Sequence, residues 1–190
     1  MHKNIVLCGV GGQGTVLASK LLAACAMTKG LKVMSAETIG MAQRGGSVFS
    51  HLRIGEDILT PMIAKKTADI IIGFEPGEAV RMLPYLKDDG AVVVSNKAVM
   101  PITASLSKSD YSAEQMISYL KSKVSKLTVV DTEAACKKLG TPKVMNVLLL
   151  GAAVRTGEIG FTPNEIMEEI KKRMPEKMYA INEQALFYEF

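Results

Sequence analysis

Ile5-Val6-Leu7-Cys8-Gly9-Val10-Gly11-Gly12-Gln13-Gly14 is the stretch on which the reading of the chain turns. Its first four residues are an unbroken apolar run, too short for a helix, and the run stops at a cluster of glycines. Beyond it residues 15–29 are rich in Leu and Ala, with Leu17, Ala18, Leu21, Leu22 and Cys25 at helical spacing. Gly30 suits the position after a helix, and residues 33–36 form a candidate second strand. Strand, glycine turn, helix and strand in that order open an α/β unit.

The pattern continues downstream. Residues 40–46 (Gly-Met-Ala-Gln-Arg-Gly-Gly) form a second glycine-rich loop, followed by strand-like alternation over 47–53. Residues 54–58 suggest a turn into a short returning strand, which predicts an antiparallel edge. Residues 69–74 and 91–95 are continuously apolar, as strands buried on both faces are. Glu75-Pro76 opens a helix predicted to reach residue 86, with Pro84 distorting its end. Ser112 with Gln115, and Thr162-Pro163 with Glu165, are capping patterns for helices over 112–123 and 163–174. A strand at 127–130, helices over 132–139 and from Thr141 to 155, and a short helix from Met178 complete the reading. The fold class is α/β: one Rossmann-like domain over residues 1–190, with a mostly parallel sheet, an antiparallel edge and a helical C-terminal third packed on the same sheet.

Composition narrows the function. The chain has 190 residues, enough for one large core, and at 48% hydrophobic and 22% charged it does not read as disordered. Its 23 Lys and Arg against 19 Asp and Glu leave a charge of +4 with no basic block, so no nucleic-acid partner is expected. No apolar stretch approaches the ~18 residues of a membrane span, and glycines break the N-terminal run too early for a signal peptide. Cys8, Cys25 and Cys136 make no CxxC pair, which excludes a local four-cysteine iron–sulfur site and a zinc ribbon. His2 and His51 are too few for a multi-histidine metal site. Scattered thiols point to a reducing, cytoplasmic compartment.

Gly9, Gly11 and Gly14 satisfy GxGxxG, with Gly12 as a fourth glycine. Missing β-carbons permit the tight turn and let backbone N–H groups at a helix start approach an anion or a partner chain. Three readings stand side by side: a dinucleotide site with Glu37 as the ribose-binding carboxylate, a ligand-free turn, and an anion-binding or subunit-contact surface. The second loop favours the third. Arg44 offers a rigid five-donor fork for phosphate or carboxylate, Gln43 a donor and an acceptor, and Gly45 and Gly46 close approach. Asn146, in an otherwise apolar helix, needs a partner in a neighbouring loop or in the glycine crevice. Cys8 reads as a buried structural thiol, His51 as a sheet or interface residue, and Glu75 and Glu78 as helix-capping groups. Asn96 reads equally as a crevice or a solvent residue, and no GxSxG or phosphate-binding GxxxxGK[ST] loop occurs.

These residues resemble a known family. Gly9–Gly14, the run from Glu37 through Gln43-Arg44-Gly45-Gly46-Ser47-Val48, and His51-Leu52-Arg53 look like the gamma module of the 2-oxoacid:ferredoxin oxidoreductases. Asp69, Phe74-Glu75-Pro76, Gly90 and Asn146–Gly151 continue the match, and the wording of the second loop is closest to the small (beta) subunits of the indolepyruvate branch. Ile39 stands where many relatives have histidine, so no catalytic histidine is carried over. The resemblance implies a chain inactive alone, within an enzyme that converts a 2-oxoacid, indolepyruvate in that branch, and coenzyme A to an acyl-CoA, carbon dioxide and reduced ferredoxin. It implies no cofactor bound by this chain alone, and thiamine diphosphate, Mg2+ and iron–sulfur clusters in a large alpha subunit, with two heterodimers in the assembly. Pyruvate, 2-oxoisovalerate and 2-oxoglutarate enzymes are the neighbouring alternatives, and a stand-alone NAD-binding domain the more distant one. Gly9, Gly11, Gly12, Gln13, Gly14, Gln43, Arg44, Gly45, Gly46 and Asn146 are the expected crevice or partner contacts, with Arg53 as a further candidate for an anionic group. No residue is expected to act as acid, base or nucleophile.

Overall fold

The computed structural model describes residues 1–38, 45–100 and 111–190. The opening unit is β1 (Lys3–Val10), α1 (Thr15–Thr28) and β2 (Val33–Glu37), followed by β3 (Ser47–Ile54), β4 (Ala68–Gly73), α2 (Pro76–Met82) and β5 (Leu86–Ser95). Then come α3 (Ala113–Lys123), β6 (Lys126–Val130), α4 (Thr132–Lys138), α5 (Met145–Arg155), α6 (Pro163–Arg173) and α7 (Tyr179–Leu186). Six strands form one sheet in the order β2-β3-β1-β4-β5-β6. The β1–β4, β4–β5 and β5–β6 pairs are parallel, and β3 runs antiparallel to both β1 and β2.

The sheet is therefore mostly parallel with its antiparallel pairings gathered on one side, as expected. Two details differ. The reversed strand is β3 itself, inserted between β1 and β2, and no returning strand follows Gly55 among the described residues. Ile58 and Ile63 are instead buried from a loop, and Ile63 packs against Val6, Cys8 and Ile71. The second difference is β5, which starts at Leu86 rather than at 91, so α2 ends at Met82 and Pro84 sits in a 3-10 turn over Leu83–Tyr85. Lys87-Asp88-Asp89 hid this strand end from hydrophobic patterning: it is polar because it lies at the rim, where Lys87 pairs with Asp69 at 2.9 Å.

Alternation along the strands sends apolar residues to both faces. Ile5, Leu7, Ile70, Ile72 and Val93 meet α1, α5, α6 and α7; Val6, Ile71, Val92 and Val94 meet α2 and α3. The C-terminal third thus does pack on the sheet, around α5, which is buried along nearly its whole length. Gly151 is required there: a β-carbon would collide with the Leu186 carbonyl at the end of α7. Arg155 then holds the tail by donating to the carbonyls of Leu186 at 2.8 Å and Tyr188 at 2.7 Å. β1 leads through α1 toward β2 on one side, and β4 leads to β5 on the other. The order reverses between β1 and β4, which places the ligand-accepting crevice of an open α/β sheet at their C-terminal ends.

Candidate functional site

That end of the sheet is where the glycine segments meet. The Gly11 N–H donates to the Gly46 carbonyl at 2.8 Å and the Gly45 N–H to the Gly11 carbonyl at 3.4 Å, so the turn after β1 and the entry to β3 form one hydrogen-bonded rim. Gly9 lies inside β1, opposite Val48. Gly12 is the exposed crest of the turn. Gln43 and Arg44 fall outside the described residues.

Gln13 turns inward. Its Oε1 accepts from the Val10 N–H at 2.7 Å and its Nε2 donates to the Phe74 carbonyl at 3.0 Å. The side chain is a strut between the turn and the end of β4 rather than a group offered to a ligand. Gly14 caps α1 with φ 87°, in the left-handed region, and a β-carbon there would sit 2.7 Å from Asn146 Nδ2. Asn146 is 6% exposed, and its Oδ1 accepts from the Val147 N–H at 2.9 Å, which fixes the amide so that its nitrogen faces Gly14. Asn146 thus lies against the Gly14 turn, while the hydrogen bond its side chain makes among the described residues is to its own neighbour Val147.

The residues after β4 add a buried acidic pair. Glu75 caps α2, its Oε2 accepting from the Glu78 N–H at 2.9 Å, and its other oxygen accepts from the Tyr111 hydroxyl. The Gly77 N–H donates to the Tyr111 oxygen at 3.0 Å. Burial, and then the bond to Glu75, hold the Tyr111 phenol well above its ordinary range. Glu78 accepts from Ser47 Oγ at 2.5 Å and lies 3.4 Å from Arg81, tying α2 to the start of β3. The capping reading of Glu75 holds, but the contacts to Tyr111 and Ser47 span 36 and 31 residues and left no local signal. Burial, and then the charges of Glu78 and Glu75, push the Cys8 thiol up, which suits an inert packing residue.

Other candidates lie elsewhere. Arg53 sits at the opposite end of the sheet, opposite Asn4, and donates to Asn4 Oδ1 and the Thr60 carbonyl at 3.0 Å each, so it does not reach the crevice. His51 is fully buried in β3; its Nδ1 accepts from the Ile63 N–H at 3.1 Å, and burial lowers its pKa. Asn96 follows β5 at the crevice end, beyond β4, where its N–H donates to the Val130 carbonyl at 2.9 Å. Glu37 ends β2, and β3 separates it from β1 by two inter-strand spacings, about 10 Å. An ordinary dinucleotide fold sets that carboxylate on the neighbouring strand, so the ribose-binding role loses its geometric basis.

Cys8, Cys25 and Cys136 are buried on β1, α1 and α4, with Cys8 and Cys25 in the cores on opposite faces of the sheet, so they cannot jointly hold an iron–sulfur cluster. Burial pushes the Cys25 thiol up to about 12. Among the described residues no three His, Cys, Asp or Glu side chains gather as a metal site, and no helix is long and apolar enough to cross a membrane. The arrangement offers hydrogen-bond donors and close backbone approach, which is the chemistry of binding and orientation.

A family model described as pyruvate ferredoxin/flavodoxin oxidoreductase matches residues 4–187. The chain belongs to this family. Among curated members, indolepyruvate oxidoreductase subunit IorB of Archaeoglobus fulgidus is 34% identical over 187 residues, covering 98% of this chain and 92% of the relative. The same-named subunit of Thermococcus kodakarensis is 35% identical over 184 residues, with coverages of 96% and 91%. The family fold is seen in the crystal structure of pyruvate oxidoreductase subunit PORC of Thermotoga maritima. It superposes with a TM-score of 0.69 at 23% identity, over 98% of this chain and 93% of that one.

Proposed function

We propose that this chain is the small subunit of a cytoplasmic indolepyruvate:ferredoxin oxidoreductase, folded as one gamma-type domain and inactive without its large partner. The observation that carries this reading is the 34–35% identity to two IorB subunits over nearly the full length of both chains. In the complete enzyme an aryl pyruvate loses carbon dioxide, its acyl carbon is oxidised by two electrons that reduce ferredoxin, and the acyl group forms a thioester with coenzyme A as the thiol proton is released. Thiamine diphosphate, with Mg2+, supplies the carbon nucleophile for the decarboxylation, and iron–sulfur clusters pass the electrons singly; the large subunit holds them all. The dispersed cysteines here support that division. This chain's part is to complete the crevice: the Gly9–Gly14 turn, Gly45 and Gly46 give backbone approach and Gln13 fixes the turn, while Gln43 and Arg44, outside the described residues, are the side chains whose chemistry suits the partner or coenzyme A.

The test is purification of a tagged chain from its native cell, with iron analysis of whatever accompanies it. Activity is then measured against indolepyruvate, pyruvate, 2-oxoisovalerate and 2-oxoglutarate. A brown partner that reduces ferredoxin fastest with indolepyruvate, only when both chains are present, is the expected result. Turnover by the isolated chain overturns the subunit reading, and preference for another 2-oxoacid overturns the substrate.

A further inference from the structure

We propose that β2 is a docking edge for a second copy of this chain, the two β2 strands pairing antiparallel across a two-fold axis at Ser35. β2 is the outermost strand on its side of the sheet, with β3 as its one neighbour. Which of its backbone groups are spent on β3 follows from the bonds just beyond its ends. The Gly55 N–H donates to the Lys32 carbonyl at 3.0 Å and the Thr38 N–H to the Phe49 carbonyl at 2.9 Å, in the register that sets Met34 against Arg53 and Ala36 against His51. Bonding alternates along an antiparallel pair, so the even-numbered residues face β3, and Val33, Ser35 and Glu37 turn their N–H and C=O groups outward. Among the described residues none bonds to these outward groups.

An outer strand is normally guarded by a proline, a bulge or a lysine within it. β2 reads Val-Met-Ser-Ala-Glu, its register with β3 runs without a break, and its one charge, Glu37, stands at the end. The strand is also self-complementary. A two-fold axis at Ser35 sets that residue against its own counterpart and Val33 against Glu37 of the second copy, and no other two-fold register pairs every outward group. Met34 then lies across from Ala36 of the second copy, on the face that also carries Phe49, so half-buried apolar side chains meet and leave water together. On the other face the two Ser35 hydroxyls come within bonding reach. Like charges stay apart: the two Glu37 carboxylates are separated by the span from 33 to 37, about 13 Å, beyond a screening length of about 8 Å at physiological salt. Antiparallel pairing also sends the two glycine crevices to opposite ends of the joined sheet, which leaves each open to a large subunit of its own.

Two five-residue strands make an interface at the low end of size, so the dimer is concentration-dependent. Sedimentation of the full chain alone is expected to show a monomer–dimer equilibrium half-dissociated at about 10–100 μM. Ser35→Pro removes an outward N–H that β3 does not use. Melting should therefore stay within about 3 °C while self-association weakens at least tenfold, by roughly 1.4 kcal/mol. Ser35→Lys keeps the N–H but sets two positive charges face to face, and should weaken the dimer as much. Ser35→Cys should cross-link to itself under copper–phenanthroline, because a bonded antiparallel pair has Cα atoms about 5.5 Å apart, within disulfide reach. Cys8, Cys25 and Cys136 are buried and do not compete. Lys20→Cys, exposed on α1, gives the collisional rate and should cross-link far more slowly. A chain that stays monomeric to about 0.5 mM, a dimer that both Ser35→Pro and Ser35→Lys leave intact, or equal cross-linking of the two cysteine variants overturns the proposal. So does protection of residues 33–37 from hydrogen exchange only when the large subunit is added, which would assign the edge to that partner. Failure of the ferredoxin assay would leave the dimer standing, and a monomeric chain would leave the subunit reading standing.

Discussion

At the scale of the residue, the glycine turn is held by one side chain. Gln13 satisfies the Val10 N–H and the Phe74 carbonyl at once, so truncation strands a donor and an acceptor in a half-buried place. Gln13→Ala should destabilise the chain by about 1–3 kcal/mol in urea unfolding. Gln13→Glu keeps the acceptor for Val10 but sets a carboxylate oxygen against the Phe74 carbonyl, and should cost at least as much at neutral pH. A change below about 0.5 kcal/mol in both would mean the strut carries no weight. Gly14 is constrained twice, by its φ of 87° and by Asn146. Gly14→Ala should cost about 2–4 kcal/mol, the sum of left-handed strain and overpacking. Adding Asn146→Ala should recover the overpacking share while the backbone strain stays, which a double-mutant cycle reads directly.

Elements were legible where local chemistry determined them. Thr162-Pro163-Asn164-Glu165 reads as a helix start, and α6 begins there with a reciprocated box: Thr162 Oγ1 accepts from the Glu165 N–H at 3.3 Å and Glu165 Oε2 accepts from the Thr162 N–H at 2.7 Å. Thr162→Ala should cost about 1 kcal/mol. The bond to Lys29 leads in holding Glu165 below its ordinary 4.5, with the Thr162 bonds assisting against desolvation. For Glu169 burial acts upward, but bonds from Lys172 and Thr28 and the charges of Lys172 and Arg173 outweigh it, so it too is lowered. Both carboxyls are therefore more acidic folded than unfolded. Their stabilisation is present above the unfolded value and is lost as pH falls through the folded ones. Melting temperature should drop from pH 5 toward pH 3, and Glu165→Gln should flatten that fall; an unchanged slope would show that these carboxylates do not drive acid unfolding. Elements were illegible where the partner is distant in sequence. β3 announces its own alternation but not its place between β1 and β2, and the polar start of β5 reads as a turn until Lys87 is seen against Asp69. The crevice followed the same division: both glycine loops and Asn146 were visible in the sequence, whereas the inward strut of Gln13 and the Glu75–Tyr111 contact were not.

Over the whole molecule, the two ends of the sheet are built differently, and this bears on how the chain meets a partner. The crevice end gathers the glycine rim and the exposed apolar side chains of Val16 and Leu17, 40% and 36% exposed on the first turn of α1. The opposite end carries paired charges, with Arg53 tied to Asn4 and Thr60, Lys87 to Asp69, and Lys66 to Asp88 at 2.9 Å, beside the exposed apolar side chains of Leu59 and Met62. Paired charges at a rim lose hydration when a partner covers them and gain little in return, whereas apolar groups and backbone flanked by glycine lose little. The crevice end is therefore set apart by its glycine rim rather than by apolar exposure, and the proposed shared crevice predicts that the partner covers that rim. Hydrogen exchange of the chain, alone and with its co-purified large subunit, should show new protection over residues 11–17 and 45–47. Residues 55–67 and 86–90 should exchange alike in both states. Protection confined to the second set would place the partner at the wrong end of the sheet and remove the geometric basis for a shared crevice.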